Sequence, residues 1–223
     1  MEKQLIGKRH SHNDKQVDYW IHVTNKCNWF CDYCIVDTHN TKDTQIENVL
    51  KTIQEDVKDN SFVSLTGGEI GTLSKSEIES IFILLESKQC KICIDTNGLF
   101  LRKYSEYYNR VFDYFYHCSE KLTLEEDIFK DISDPENKLT FMIVVSDSNF
   151  ENSIPFLTKW NNVLFHVHGA MTNGNGGNTL SNKFALKLFH ACHKLENVNK
   201  EHLTYIINLY AGKNEHVFID SRK

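Results

Sequence analysis

Residues 17–34 read VDYWIHVTNKCNWFCDYC, and the two parts of that stretch decide the fold. Residues 17–24 are a β-branched and aromatic run that predicts a strand. The loop that follows carries Cys27, Cys31 and Cys34, with three and then two residues between them. Thiolates are soft ligands that suit zinc, copper(I) and iron–sulfur clusters. Three on one short loop can hold three corners of a cuboidal 4Fe–4S cluster, leaving its fourth iron open. No fourth cysteine follows at the spacing of a closed ferredoxin site.

The same strand-then-loop unit recurs along the chain. Strands are predicted at residues 61–66, 90–95, 112–118, 139–145 and 163–168. Between them lie amphipathic helical patterns. Ile46, Val49, Leu50, Ile53 and Val57 share one face behind a capping box at Thr44 and Glu47, and Ile78, Ile81, Phe82 and Leu85 share another behind Ser74 and Glu77. Shorter helices are expected over 99–107, after Thr123 and Glu126, near Phe150, and over 183–195; residues 202–210 suit helix or strand. Six strand–helix repeats imply parallel strands with right-handed crossovers, hence an α/β sheet or barrel. Ligands in such folds gather at the carboxyl ends of the strands. The unusual residues fall there: the cysteines after strand one, TGGE after strand two, DTNG after strand three.

Bulk properties narrow the setting. A chain of 223 residues with a net charge of −5 fits one domain, with its core over about 17–195, a short N-terminal arm and a C-terminal extension. That charge argues against a nucleic-acid surface. No apolar run reaches the roughly 20 residues of a membrane span, and the polar start is unlike a secretory signal. Seven cysteines, an odd number, suit metal-binding thiols in a reducing cytoplasm better than a disulfide framework.

The CxxxCxxC spacing, the GGE and the TNG, in that order and on those loops, resemble the radical S-adenosylmethionine (radical SAM) superfamily over residues 17–168. The resemblance implies a partial (β/α)6 TIM-like barrel with its active site at the C-terminal strand ends. It also implies one 4Fe–4S cluster on Cys27, Cys31 and Cys34, whose open iron chelates S-adenosylmethionine. One electron, from a donor such as flavodoxin or ferredoxin, splits that cofactor to give a 5′-deoxyadenosyl radical that abstracts hydrogen from a substrate. The cofactors carry the chemistry, and the protein supplies position and exclusion of water.

By the same resemblance, Tyr33 sits where the family places an aromatic beside the adenine. Gly67 and Gly68 let backbone approach the ligand, and Glu69 offers a carboxylate to the methionine ammonium. Ile70 stands where the family often has proline, which removes one source of loop rigidity. Thr96, Asn97 and Ser119 fall where polar contacts to ribose or methionine are expected, although Asn97–Gly98 also reads as an ordinary turn. His166 and His168 alternate on strand six and share a face, available to cofactor or substrate or simply packed there.

Other features carry less chemistry. Cys90 and Cys93 form a CxxC, but three apart on a strand they point to opposite faces, so a second cluster there needs a different backbone; Cys118 and Cys192 read as small apolar core residues. The glycine- and asparagine-rich stretch 169–181 is either a lid over substrate or a plain connection. A non-catalytic iron–sulfur or zinc protein is the alternative from another class, and GGE and TNG argue against it. Within the enzymes, length and cluster count resemble 7-carboxy-7-deazaguanine synthases and glycyl-radical activases. The Asp-Thr that the former carry directly after the third cysteine is displaced here to Asp37 and Thr38. Peptide modification is a third option, without the usual cysteine-rich C-terminal module. Small-molecule, nucleoside and peptide substrates all stay open.

Overall fold

The structure is a computed structural model that describes residues 17–34, 36, 42–118, 122, 124, 132, 138–170, 180–200 and 203. Its strands are β1 (Tyr19–Thr24), β2 (Phe62–Gly67), β3 (Lys91–Thr96), β4 (Asp113–His117), β5 (Leu139–Val145) and β6 (Phe165–Gly169). They form one sheet in chain order, each parallel to the next, left open between β1 and β6. The helices are α1 (Ile46–Asp56), α2 (Lys75–Ser87), α3 (Leu99–Lys103), α4 (Phe150–Lys159) and α5 (Asn182–His193). This is the expected alternation, in the open form of a partial barrel.

Strand parity separates the two faces of the sheet. Ile21, Val23, Val63, Leu65, Ile92, Ile94, Tyr114, Tyr116, Phe141, Ile143, Phe165 and Val167 pack with Val49, Ile53, Ile78, Phe82 and Leu188 of the helices in one continuous core. The face that the described helices leave uncovered (the helix-free face) carries a second, small apolar cluster of Cys93, Phe115 and Met142. Cys90 packs in the first cluster and Cys93 in the second, so the pair does lie on opposite faces. Cys118 and Cys192 are fully buried, and burial pushes both thiols well above their usual pKa, Cys192 to about 12. They behave as small apolar residues.

The helix start read at Ser74 and Glu77 is present as a capping box: the Glu77 backbone N–H donates to Ser74 Oγ at 3.3 Å, and the Ser74 N–H to Glu77 Oε2 at 2.7 Å. The box expected at Thr44 and Glu47 is not formed. Gln45 is the N-cap, without a side-chain bond, so Glu47 falls one position too early to reach back. Asp43 organises that entry instead, accepting from the Thr44 and Asn25 amides at 2.9 and 3.0 Å and from Thr24 Oγ1 at 2.9 Å. Residues 99–107 divide into α3 and a 3-10 turn at Ser105–Tyr107. The helix expected after Thr123, most of 202–210 and residues 171–179 of the glycine-rich stretch lie outside the described residues.

Candidate active site

The three motif loops meet at the carboxyl ends of β1, β2 and β3, joined by backbone contacts. The Gly68 N–H donates to Thr24 O at 2.6 Å and the Glu69 N–H to Lys26 O at 2.8 Å. These bonds press the second loop against the residues just before Cys27. A Cβ on Gly68 would stand 2.1 Å from Lys26 O, and one on Gly67 (φ +122°) 2.6 Å from Thr24 O. The glycines therefore permit backbone to approach backbone at the base of the cysteine loop.

Glu69 is 1% exposed, and its carboxylate is turned inward. Oε1 accepts from the Gly71 and Phe100 amides at 2.9 and 3.0 Å and from Thr96 Oγ1 at 2.9 Å; Oε2 accepts from the Asn97 amide at 2.7 Å. Burial pushes its pKa up, and the donors of Asn97, Gly71, Thr96 and Phe100 pull the other way. Glu69 thus joins the second loop to the third and to the start of α3. Ile70 is 1% exposed and opens a 3-10 turn, Ile70–Thr72, so burial anchors the position where the family often has proline.

Thr96 is consumed in the same network, since its Oγ1 also accepts from the Gly98 N–H at 3.0 Å. Asn97 reaches further: its Nδ2 stands 2.8 Å from Asn28 Oδ1 and 3.7 Å from Cys27 Sγ. The sulfurs receive backbone donors too, Trp29 N–H to Cys27 and Val36 N–H to Cys34, each at 3.4 Å. All three cysteines are half-buried and free of disulfides. Burial raises the thiol pKa of Cys27 and Cys34, and the Trp29 and Val36 amides oppose it. Among the described residues no three Cys, His, Asp or Glu side chains close on a single metal ion. Three thiols spread along one loop, with N–H groups aimed at two of them, suit a cluster whose corners are separate irons.

Tyr33 lines a cleft of about 760 Å³ with Phe30, Asp32, Ser148, Asn149 and Phe156, between the cysteine loop and the β5–α4 connection. Ser148 Oγ donates to Asp32 Oδ2 at 3.0 Å across it. His166 is buried on the helix-free face and pairs in register with Met142, while His168 pairs with Val144. Ser119 lies outside the described residues.

One constellation escaped the motif reading. On the helix-free face Asp95 bridges three strands: Ser64 Oγ donates to its Oδ2 at 2.8 Å, and His117 Nε2 lies 3.2 Å from its Oδ1. His117 in turn pairs in register with Met142, one strand from His166. The available signal was parity: Ser64, Asp95 and His117 are polar letters at alternate positions of apolar strands.

Residues 21–118 match the family model of the radical SAM superfamily. Through that segment the chain is similar to the radical SAM superfamily. The matched segment runs from β1 to the end of β4. The whole fold is similar to solved structures described as anSMEcpe with bound AdoMet (TM-score 0.53, 12% identity, 88% of this chain and 60% of that one). It is also similar to Streptococcus suis SuiB bound to precursor peptide SuiA (TM-score 0.53, 14% identity, 88% and 46%). The chain therefore spans about 60% of the first of these structures and less than half of the second. A comparison with curated proteins finds no match. No helix among the described residues is long and apolar enough to cross a membrane.

Proposed function

We propose that this chain is a radical SAM enzyme that binds one 4Fe–4S cluster through Cys27, Cys31 and Cys34 and uses S-adenosylmethionine at the cluster's open iron. The observation that carries the reading is the convergence of the three motif loops, through Gly68, Glu69 and Asn97, on the segment that bears Cys27. A bound cluster supplies one electron for reductive cleavage of S-adenosylmethionine, and hydrogen is then taken from an organic substrate. The chain's own residues hold and orient. Gly67 and Gly68 set the height of the cysteine loop, Glu69 and Thr96 lock the second and third loops, and Tyr33 is placed for adenine in the cleft beside it. His166 is assigned to the remaining cofactor or substrate contacts, and Ser119 keeps the role that its sequence position implies.

Glu69 serves this function by shaping the loops. Its carboxylate faces three amides, which assigns contact with the methionine ammonium to backbone that it orders. The electron comes from a flavodoxin- or ferredoxin-type donor in the cytoplasm. Two of the similar structures are described with peptides bound, anSMEcpe with Cp18Cys peptide and SuiB with SuiA, so a peptide is the substrate class to test first.

Anaerobic reconstitution with iron and sulfide tests the reading. About four irons per chain are expected, and reduction with S-adenosylmethionine present is expected to release 5′-deoxyadenosine. A loaded cluster that never cleaves the cofactor would return the chain to the non-catalytic iron–sulfur class.

A further inference from the structure

Asn97 reaches a cysteine sulfur from outside the cysteine loop. It is 7% exposed, and three bonds fix its position. Its backbone N–H donates to Glu69 Oε2 at 2.7 Å, its Oδ1 accepts from the Leu99 N–H at 3.4 Å, and its Nδ2 donates to Asn28 Oδ1 at 2.8 Å. The Leu99 N–H sets which end of the amide is which: turned over, Nδ2 would face that N–H, donor against donor. The second Nδ2 hydrogen is thereby left for Cys27 Sγ, 3.7 Å away.

We propose that Asn97 is a positioning residue that donates a hydrogen bond to the Cys27 sulfur and so raises the reduction potential of the cluster held there. The role rests on Cys27 being a ligand of a 4Fe–4S cluster, as proposed above. Hydrogen bonds to ligating sulfurs are among the factors that set a cluster's potential. The direction follows from charge. Reduction places more negative charge on the thiolate sulfur, so a fixed N–H beside it stabilises the reduced state over the oxidised one. The TNG loop would then ease electron entry, and Glu69, which holds the Asn97 backbone, would act on the cluster at second hand.

The experiment is an EPR-monitored redox titration of reconstituted wild type, Asn97→Ala, Asn97→Asp and Asn28→Ala. Asn97→Ala should shift the midpoint to more negative potential. Asn97→Asp, nearly isosteric but with a negative acceptor in place of the donor, should shift it further. Asn28→Ala removes only the competing acceptor and should stay at or above wild type. An unchanged midpoint in a fully loaded Asn97 variant overturns the proposal, as does an equal fall in Asn28→Ala, which would mark loop packing as the cause. Should the Asn97 variants fail to load, wild type grown with side-chain 15N-asparagine still decides. Pulsed EPR of its reduced cluster should show a coupled side-chain nitrogen that persists in Asn28→Ala, and its absence overturns the proposal. If wild type itself takes up no cluster, the proposed function fails instead, so the two failures are distinguishable.

Discussion

The β1–β3 half of the sheet and the β4–β6 half repeat the same strand–helix unit but are finished differently. In the first, the loops after the strands are bonded to one another: Gly68 to Thr24, Glu69 to Lys26, Asn97 to Glu69, and Asn97 on to Cys27. In the second, the described residues cohere mainly below the loops, in rings packed edge to face between strands and helix. Tyr116 and Phe141 stand 5.9 Å apart, Phe141 and Phe165 6.2 Å, and Phe156 and Phe165 5.5 Å. The β5–α4 turn is closed by the Ser146 N–H donating to Asn149 Oδ1 at 2.9 Å, and single bonds tie it to its neighbours, from Ser148 Oγ to Asp32 and from the Ser181 N–H to Asp147 Oδ1 at 2.7 Å. Hydrogen-bonded loops fix a geometry residue by residue, whereas packed rings hold strands and leave the loops free to differ. A site that must hold a fixed cofactor and a variable substrate calls for both kinds of ending.

The largest effect should come from the contact that joins the first two loops. A methyl group on Gly68 would lie 2.1 Å from a backbone oxygen, and backbone on both sides leaves no flexible side chain to yield. Gly68→Ala is therefore expected to cost about 3 kcal/mol or more, the upper range of overpacking. It should also abolish iron loading, because the displaced partner is Lys26, next to Cys27. Urea unfolding of the apoprotein and iron analysis after reconstitution check both parts. A variant with near-normal stability and full iron would break the comparison, since the loops would then not depend on one another.

A smaller loss is expected at Glu69. In Glu69→Gln one end of the side chain becomes an NH2 group, which must face either the Asn97 amide or those of Gly71 and Phe100. Setting donor against donor in a buried site costs about 1–3 kcal/mol. The urea midpoint should fall accordingly while the slope holds. Unchanged stability with weakened S-adenosylmethionine binding would instead restore the direct contact to the methionine ammonium that the motif suggested.

This contrast explains what could be read from residue order. Hydrophobic periodicity located all six strands, and the helix starts that failed did so for local reasons, as at Thr44, where Asp43 takes the amide. In the first half the motif letters are themselves backbone constraints: cysteines on a loop, glycines under a carbonyl. Their places were therefore legible. The direction of Glu69 was not, because a carboxylate facing ligand and one facing three amides spell the same letter. In the second half the polar residues stand singly within apolar strands. His117 has no motif; it meets Asp95 from the next strand as Ser64 does from the strand before, so adjacent strands bring the three together from positions far apart in the chain.

Asp95 sits on the seam between the halves, bonded to Ser64 of β2 and His117 of β4, and it gives the finest test of their independence. Asp95→Asn keeps the shape and one acceptor. The Ser64 hydroxyl can rotate to accept from the new NH2, and His117 can meet it through its other tautomer. The expected cost is therefore only about 1 kcal/mol, that of one ordinary hydrogen bond. Iron content and substrate-free release of 5′-deoxyadenosine should stay at wild-type levels, because none of the described bonds between the cysteine, GGE and TNG loops passes through the Asp95 carboxylate. Loss of iron in Asp95→Asn would show that the cofactor end leans on the inner face of the sheet. Retained iron would show that the cysteine loop does not depend on the Asp95 carboxylate, and that the two halves are held separately.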